Sequence, residues 1–300
     1  MNTKLRRKIE GFGYTGIARL RVSGETSTVL YACQKDSVQY VAKVGIDQRG
    51  KTEVNDNIYG YAEINKIGAS SLLPEIPITF EVGGSPVIII ERLTSNFKVL
   101  ARDRKVPIYK ILFDEIEDLS RKTFCSSSHI QQEGMEELKR QLEKWYTIIY
   151  MEGMIPRRYL DKIKSIDTYA LSSRRSTLML LDFTPDNVFV EGDKIKYIDP
   201  WRQGSYRGSL IPSISIFMRL LTHVYGIRVP EETINESNRL VERLATMLDL
   251  DNSSTRKQQL IGIALLYALS SFVRTKTNKR LARDYAKLGI DSIDEIIASP

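Results

Sequence analysis

Cysteine and histidine are both nearly missing, with two of each in 300 residues. Cys33 and Cys125 lack C-x-x-C spacing, and His129 and His223 are too few to complete a metal set. Structural zinc and Ser-His or Cys-His nucleophilic catalysis are therefore not expected. Glycine and proline are sparse, 18 and 10, and with 42% apolar and 27% charged residues the chain is neither fibrous nor disordered. Its length lets a core form without disulfide staples. Long apolar runs are also missing. Stretches such as Val87–Ile90 and Ile263–Leu266 fall far short of the ~18–20 residues that cross a bilayer, so no membrane partner is expected. The basic opening, Met1-Asn2-Thr3-Lys4-Leu5-Arg6-Arg7-Lys8, has no apolar segment behind it, so a cytoplasmic location is expected. The excess of 44 basic over 37 acidic groups hints at an anionic partner but is spread along the chain. No aromatic-and-basic motif points to nucleic acid.

What is present changes character near residue 95. Before it, runs rich in β-branched and aromatic residues alternate with turn residues: Gly16–Val22, Thr28–Cys33, Gln39–Val44 and Pro86–Glu91. These predict an antiparallel sheet, with one helix inside it over Glu53–Ile67, where Ile58, Ala62 and Ile67 approach helical spacing. After residue 95 helical periods dominate, most cleanly Met135, Leu138, Leu142, Trp145 and Ile149. Ile214–Tyr225 and Gln259–Val273, apolar on most sides, read as central helices. Leu178–Asp182, Val188–Val190 and Ile195–Ile198 interrupt with strand-like composition. The expectation is an α+β chain of two lobes, residues 1–93 built on the sheet and residues 94–300 mostly helical.

Two phosphate-loop patterns need weighing. Gly11-Phe12-Gly13-Tyr14-Thr15-Gly16 is a G-x-G-x-x-G that arises by chance in about 0.06 copies per chain at this glycine content. Gly45-Ile46-Asp47-Gln48-Arg49-Gly50-Lys51-Thr52 is a full G-x-x-x-x-G-K-T. Its intervening residues are bulky and one is anionic, whereas a backbone cradle wants small, uncharged ones. A P-loop also requires the parallel sheet of successive βαβ units, and antiparallel strands precede this segment instead. The ordinary reading of it is a turn from strand to helix.

A third constellation spans the chain. Leu180-Leu181-Asp182-Phe183-Thr184-Pro185-Asp186-Asn187 supplies an Asp and an Asn five apart, and Tyr197-Ile198-Asp199-Pro200 follows. Lys43 lies in Tyr40-Val41-Ala42-Lys43-Val44, with Glu63 twenty residues on in the expected helix. Val87–Leu93 is an apolar strand running into a hinge-like end. In that order, these parts resemble the kinase-like phosphotransferases of small molecules, the aminoglycoside phosphotransferase and choline kinase group, over about residues 16–225. Val22-Ser23-Gly24-Glu25-Thr26-Ser27-Thr28-Val29-Leu30-Tyr31 looks like that group's phosphate-covering loop. In the group the loop joins strands one and two and the lysine sits on strand three, so Ser23–Thr28 fits the count and Gly11, Gly13 and Gly16 become turn glycines.

The resemblance implies a protein-kinase-like two-lobe fold and transfer of the γ-phosphoryl of ATP to a small-molecule hydroxyl, with ATP and Mg²⁺ as cofactors. Ser23, Gly24 and Ser27 would cover the phosphates, Lys43 would hold them, oriented by Glu63, and the backbone of Glu91 and Leu93 would read adenine. Asn187 and Asp199 would coordinate Mg²⁺, and Asp182 would be the catalytic carboxylate, because phosphoryl transfer needs cations and a positioned nucleophile more than covalent help. Taken singly, Lys43 could be a solvated strand residue, Glu63 a surface charge and Asp186-Asn187 a turn; their joint order is what carries the reading.

Departures are visible. Leu180 stands where the group usually has His, Asp186 where Gly is frequent, and Ser213 near a helix-starting Asp, so the catalytic loop is expected to be less well braced. That keeps an inactive nucleotide-binding module in view. A protein kinase is the other alternative, although about a dozen residues between Asp199 and the helix near Pro212 leave little room for an activation segment. Arg202 and Arg207, just after Asp199, are either solvated or a bidentate clamp on an anionic group of the acceptor.

Overall fold

The computed structural model describes residues 3–20, 27–76, 78–103, 107–126, 128–168 and 171–298. Helix α1 (Thr3–Gly11) leads into β1 (Thr15–Arg19), β2 (Thr28–Lys35) and β3 (Val38–Gly45). Helix α2 (Gln48–Lys66) follows, and then β4 (Ile78–Val82) and β5 (Ser85–Glu91). The five strands form one antiparallel sheet in the order β1-β2-β3-β5-β4. Lys43 sits opposite Leu30 on one side and Ile88 on the other, in the central strand.

Alternation along β3 decides what faces where. Tyr40, Ala42 and Val44 point into a small core with Leu5, Ile9 and Tyr14, capped by α1. Val41 and Lys43 point to the opposite face, toward α2 and the cleft. Helix α1 and strand β4 were not expected from composition. The first has only Leu5 and Ile9 buried, and in β4 no residue is fully buried. Neither offers a long apolar period to read.

Beyond β5 come α3 (Phe97–Arg102), α4 (Pro107–Lys122), α5 (Ser128–Met151) and α6 (Arg158–Lys164). Short strands β6 (Thr177–Leu178), β7 (Val188–Glu191), β8 (Lys194–Tyr197) and β9 (Arg207–Gly208) surround the loop that carries Asp182. Helix α7 (Ile211–Arg219) passes into a π-helical turn at Leu220–Val224; α8 (Glu231–Leu248), α9 (Asn252–Arg274) and α10 (Lys279–Ala298) complete the lobe. The stripe on α5 is a core face, since Met135, Leu138, Leu142 and Ile149 are all fully buried. The expected strand Leu178–Asp182 shrinks to β6. The Met179 N–H still donates to the Tyr206 carbonyl at 2.8 Å, and from Leu180 on the backbone N–H groups pair with the side chains of Ser213 and Gln203 instead of another strand, which frees the chain to turn.

One apolar cluster runs from Val54, Ile64 and Ile90 through Phe97 and Leu112 to Phe183, Tyr197 and Phe217. It joins the sheet lobe to the helical lobe directly beneath the cleft. No helix among the described residues is long and apolar enough to cross a membrane.

Candidate active site

The G-x-x-x-x-G-K-T segment resolves first. It is the turn from β3 into α2, on an antiparallel sheet. Asp47 caps α2, its carboxylate accepting from the Gly50 N–H at 2.8 Å, and this bond holds its pKa below the ordinary value. A Cβ on Gly50 would lie 1.6 Å from the Ser27 carbonyl oxygen. The helix terminus that would cradle a phosphate is thus filled by the chain itself. Ser27, expected over the phosphates, packs here; its carbonyl accepts from the Ile46 N–H at 3.1 Å. Ser23 and Gly24 lie outside the described residues. Of the three glycines expected in turns, Gly13 sits in the turn between α1 and β1 with φ +88°, whereas Gly11 is the last residue of α1 and Gly16, at φ +62°, lies within β1.

Lys43 is the hub of a polar cluster. Its ammonium donates to Asn57 Oδ1 at 2.9 Å and Asp199 Oδ1 at 3.0 Å, and pairs with Glu53 Oε1 at 2.8 Å. Burial opposes its charge, but the neighbouring carboxylates of Asp199 and Glu53 outweigh that and hold its pKa above the usual lysine value. Lys43 is 6% exposed and lies within β3, not at a solvated strand end. The expectation that Glu63 faces it is corrected by helix geometry. Ten residues along α2 turn the helix by about 280°, so Glu53 faces Lys43 while Glu63 pairs with Lys66 at 3.6 Å. Asn57, one turn after Glu53, also donates to the Pro200 carbonyl at 3.0 Å, and the Tyr61 hydroxyl, one turn further, accepts from the Asp199 N–H at 3.1 Å. Gly60 brings α2 against the same segment, since a Cβ there would lie 2.6 Å from the Tyr206 hydroxyl. The i, i+4, i+8 stripe Glu53-Asn57-Tyr61 was in the sequence; reading only the apolar period of α2 overlooked it.

Asp182 lies in the turn after β6. Asn187 donates Nδ2 to Asp182 Oδ2 at 2.9 Å. Burial, then the negative charge of Asp199, push the Asp182 pKa up to about 7. Asp199 itself holds φ +53°, a left-handed conformation unusual for a non-glycine residue and one of the kind that concentrates at functional sites. Asp199 Oδ2 and Asn187 Oδ1 make no hydrogen bond among the described residues, and both side chains line one cavity. These two hard oxygens fit a Mg²⁺ ion whose other ligands are phosphate oxygens and water.

The expected weakness of the catalytic loop is also corrected. Ser213 Oγ accepts from the Leu180 N–H at 3.2 Å. Gln203, buried, accepts from the Leu181 N–H at 3.3 Å and donates to the carbonyls of Met179 at 2.8 Å and Ser205 at 2.7 Å. Gln203 was not singled out in the sequence, because glutamine in a loop carries no motif. Asp186 is set apart: its carboxylate meets Lys98 at 2.8 Å and accepts from the Tyr225 hydroxyl.

Three cavities surround this cluster. A cleft of about 360 Å³ beneath the sheet is walled by Leu30, Val41, Ile90, Leu93, Phe189 and Ile198. Leu93, just past β5, has a backbone N–H with no acceptor among the described residues, and Glu91 lies beside it on the same wall. The cleft meets a polar cavity of about 660 Å³ at Lys43, Glu53 and Asp199. Beyond Asp182 lies a third, of about 350 Å³. Arg202 and Arg207 line none of the three. The Arg202 guanidinium lies 4.7 Å over the Tyr59 ring, and Arg207 donates to the Thr123 carbonyl at 3.0 Å.

No protein-family model matches the chain, and no curated protein matches it. Solved structures do. A protein assigned as a fructosamine-3-kinase from Haemophilus somnus 129PT is similar over 95% of this chain and 94% of its own, at TM-score 0.59 and 14% identity. A thermostable variant of aminoglycoside phosphotransferase APH(4)-Ia, in complex with ADP and hygromycin B, is similar over 97% and 99%, at TM-score 0.59 and 13% identity. The gentamicin complex of APH(2")-IIa is similar over 100% and 97%, at TM-score 0.54 and 11% identity. The chain therefore has the two-lobe, kinase-like fold of these phosphotransferases, with a five-stranded antiparallel sheet in one lobe and helices in the other.

Proposed function

We propose that the protein is a kinase that transfers the γ-phosphoryl of ATP to a hydroxyl of a small molecule, with Mg²⁺. The observation that carries this is the meeting, in one cavity, of a buried lysine tied to two carboxylates with an Asp–Asn pair. The sheet lobe, residues 1–93, then binds nucleotide, and residues 94–300 supply the catalytic loop and acceptor site. Adenine would lie in the cleft between Val41, Ile90 and Ile198, with the Leu93 N–H, which has no acceptor among the described residues, and the backbone at Glu91 reading its edge. Lys43 would neutralise the phosphates, held at the right height by Glu53 and Asn57.

Asn187 and Asp199 would hold Mg²⁺, which supplies neutralisation of charge on the phosphate oxygens. Asp182, lining both the phosphate cavity and the cavity beyond it, would receive the acceptor hydroxyl. As the hydroxyl oxygen forms its bond to phosphorus and the bond to ADP breaks, the proton passes to the Asp182 carboxylate, whose raised pKa suits that transfer. The names of the neighbours, which bind ADP, hygromycin B and gentamicin, support nucleotide and small-molecule binding.

The test is to incubate the protein with labelled ATP, Mg²⁺ and a panel of hydroxylated metabolites and antibiotics. Label transfer to an acceptor, lost in Asp182→Asn, is expected. Nucleotide binding without transfer to any acceptor would instead assign the chain as an inactive nucleotide-binding module.

A further inference from the structure

The cavity of about 350 Å³ beyond Asp182 carries information about the acceptor. It shares one residue with the phosphate cavity, Asp182, so a molecule lying in it presents its hydroxyl to that carboxylate. Its size and largely apolar walls suit a small organic molecule. Leu220 and Val224 of the π-helical turn form one side, and Leu266, Leu269 and Val273 of α9 form another. The rings of Tyr225 and Tyr285 close it, the latter stacked 5.9 Å from Tyr267.

The charges in the walls are few and unequal. Of the two carboxylates, Asp182 is engaged by Asn187, and Asp186 is matched by Lys98 and Tyr225. Asp186 is thus already matched by a cation, and the remaining oxygen of Asp182 is the one that meets the reacting hydroxyl in the reading above. Arg274, at the end of α9, lines the same cavity and has no ion-pair partner among the described residues. An arginine fork in an apolar wall is suited to a carboxylate or similar anion.

Building on the kinase reading above, we propose that the acceptor is an alcohol with a hydrocarbon or aromatic body and one anionic group held by Arg274, and not a polycationic amino sugar. The anionic contact expected of Arg202 or Arg207 thus falls to a residue on α9.

Three aryl alcohols of one shape test this by direct titration of the full chain: 3-(hydroxymethyl)benzoate, 3-methylbenzyl alcohol and 3-(aminomethyl)benzyl alcohol. The benzoate is expected to bind tightest and the ammonium weakest, with about tenfold between them. Arg274→Gln, on a partly exposed side chain, is expected to bring the benzoate down to the level of the neutral probe. Equal or tighter binding of the ammonium probe overturns the proposal, as does a benzoate preference that survives Arg274→Gln, or failure of all three to bind at millimolar concentration. Binding of AMP-PNP with Mg²⁺ is measured on the same sample. Its loss would remove the kinase reading while the probe ranking still stood; a reversed ranking beside intact nucleotide binding would remove the acceptor proposal alone.

Discussion

The two cavities that meet at Asp182 are made of opposite materials. On the sheet side the walls are Lys43, Arg49, Glu53, Asp56 and Asp199; on the helical side they are mostly aliphatic, from α9 and the π-helical turn. On the kinase reading proposed above, the difference follows from what each would hold. A phosphoryl group in transit spreads negative charge that only cations and oriented dipoles can offset, whereas a small alcohol is selected by shape and by one or two polar contacts. Charge on the first side is held in register by helix periodicity along α2; selectivity on the second would rest on packing.

The sharpest way to break this comparison is at the residue common to both sides. Asp182→Asn is expected to lower kcat by about 10²–10⁴-fold with nucleotide affinity near normal, while Asp186→Asn leaves kcat within a few-fold, as steady-state kinetics beside nucleotide titrations will show. The opposite ranking would move the reacting hydroxyl to Asp186. On the polar side, Lys43→Met should reduce turnover by orders of magnitude. Because Lys43 is buried between carboxylates, it should also lower the melting temperature by several degrees, so a melt unchanged from wild type would contradict the buried network.

Smaller effects sharpen the picture. Glu53→Gln is expected to cost about 10–100-fold in kcat/KM and Glu63→Gln less than twofold; equal effects would mean that α2 is not held as described. A pH series of melts probes Asp182 itself. Its carboxylate has a folded pKa raised to about 7 from an ordinary value near 4, so the folded state binds the proton more tightly than the unfolded one. That contribution is fully present at acidic pH and is lost as pH rises through the folded value. Between pH 5 and pH 8 wild type should lose stability relative to Asp182→Asn, and parallel curves would contradict the raised pKa. Least of all, Lys51→Ala should leave turnover within twofold; its loss would revive the phosphate loop that Asp47 and Ser27 fill.

How much of this was legible in the sequence depended on whether a residue worked through a period or through a turn. Strands β2, β3 and β5 and helices α5, α7 and α9 carry long apolar patterns and were readable. The order lysine, Asp-x4-Asn, Asp needed no geometry. Glu53 was missed because two glutamates on one helix differ only by the angle between them, which spacing from the lysine alone does not fix. Gln203 and Arg274 were missed because each matters through a partner far away in sequence: the Met179–Leu181 backbone for the first, the cavity beyond Asp182 for the second.

The apolar cluster beneath the cleft links α2 and β5 to α3, α4, β7 and β8 without a gap. Lys196 of β8 adds a tether, donating to the carbonyls of Ser71 at 3.0 Å and Leu73 at 2.8 Å. The helical lobe also has its own core around Leu138, Tyr146 and Leu265, and the sheet lobe a smaller one around Leu5, Tyr14 and Tyr40, but the shared cluster must open before either lobe can melt alone. Calorimetry should therefore record a single endotherm, with the van't Hoff enthalpy matching the measured heat, and proteolysis should not release a stable half.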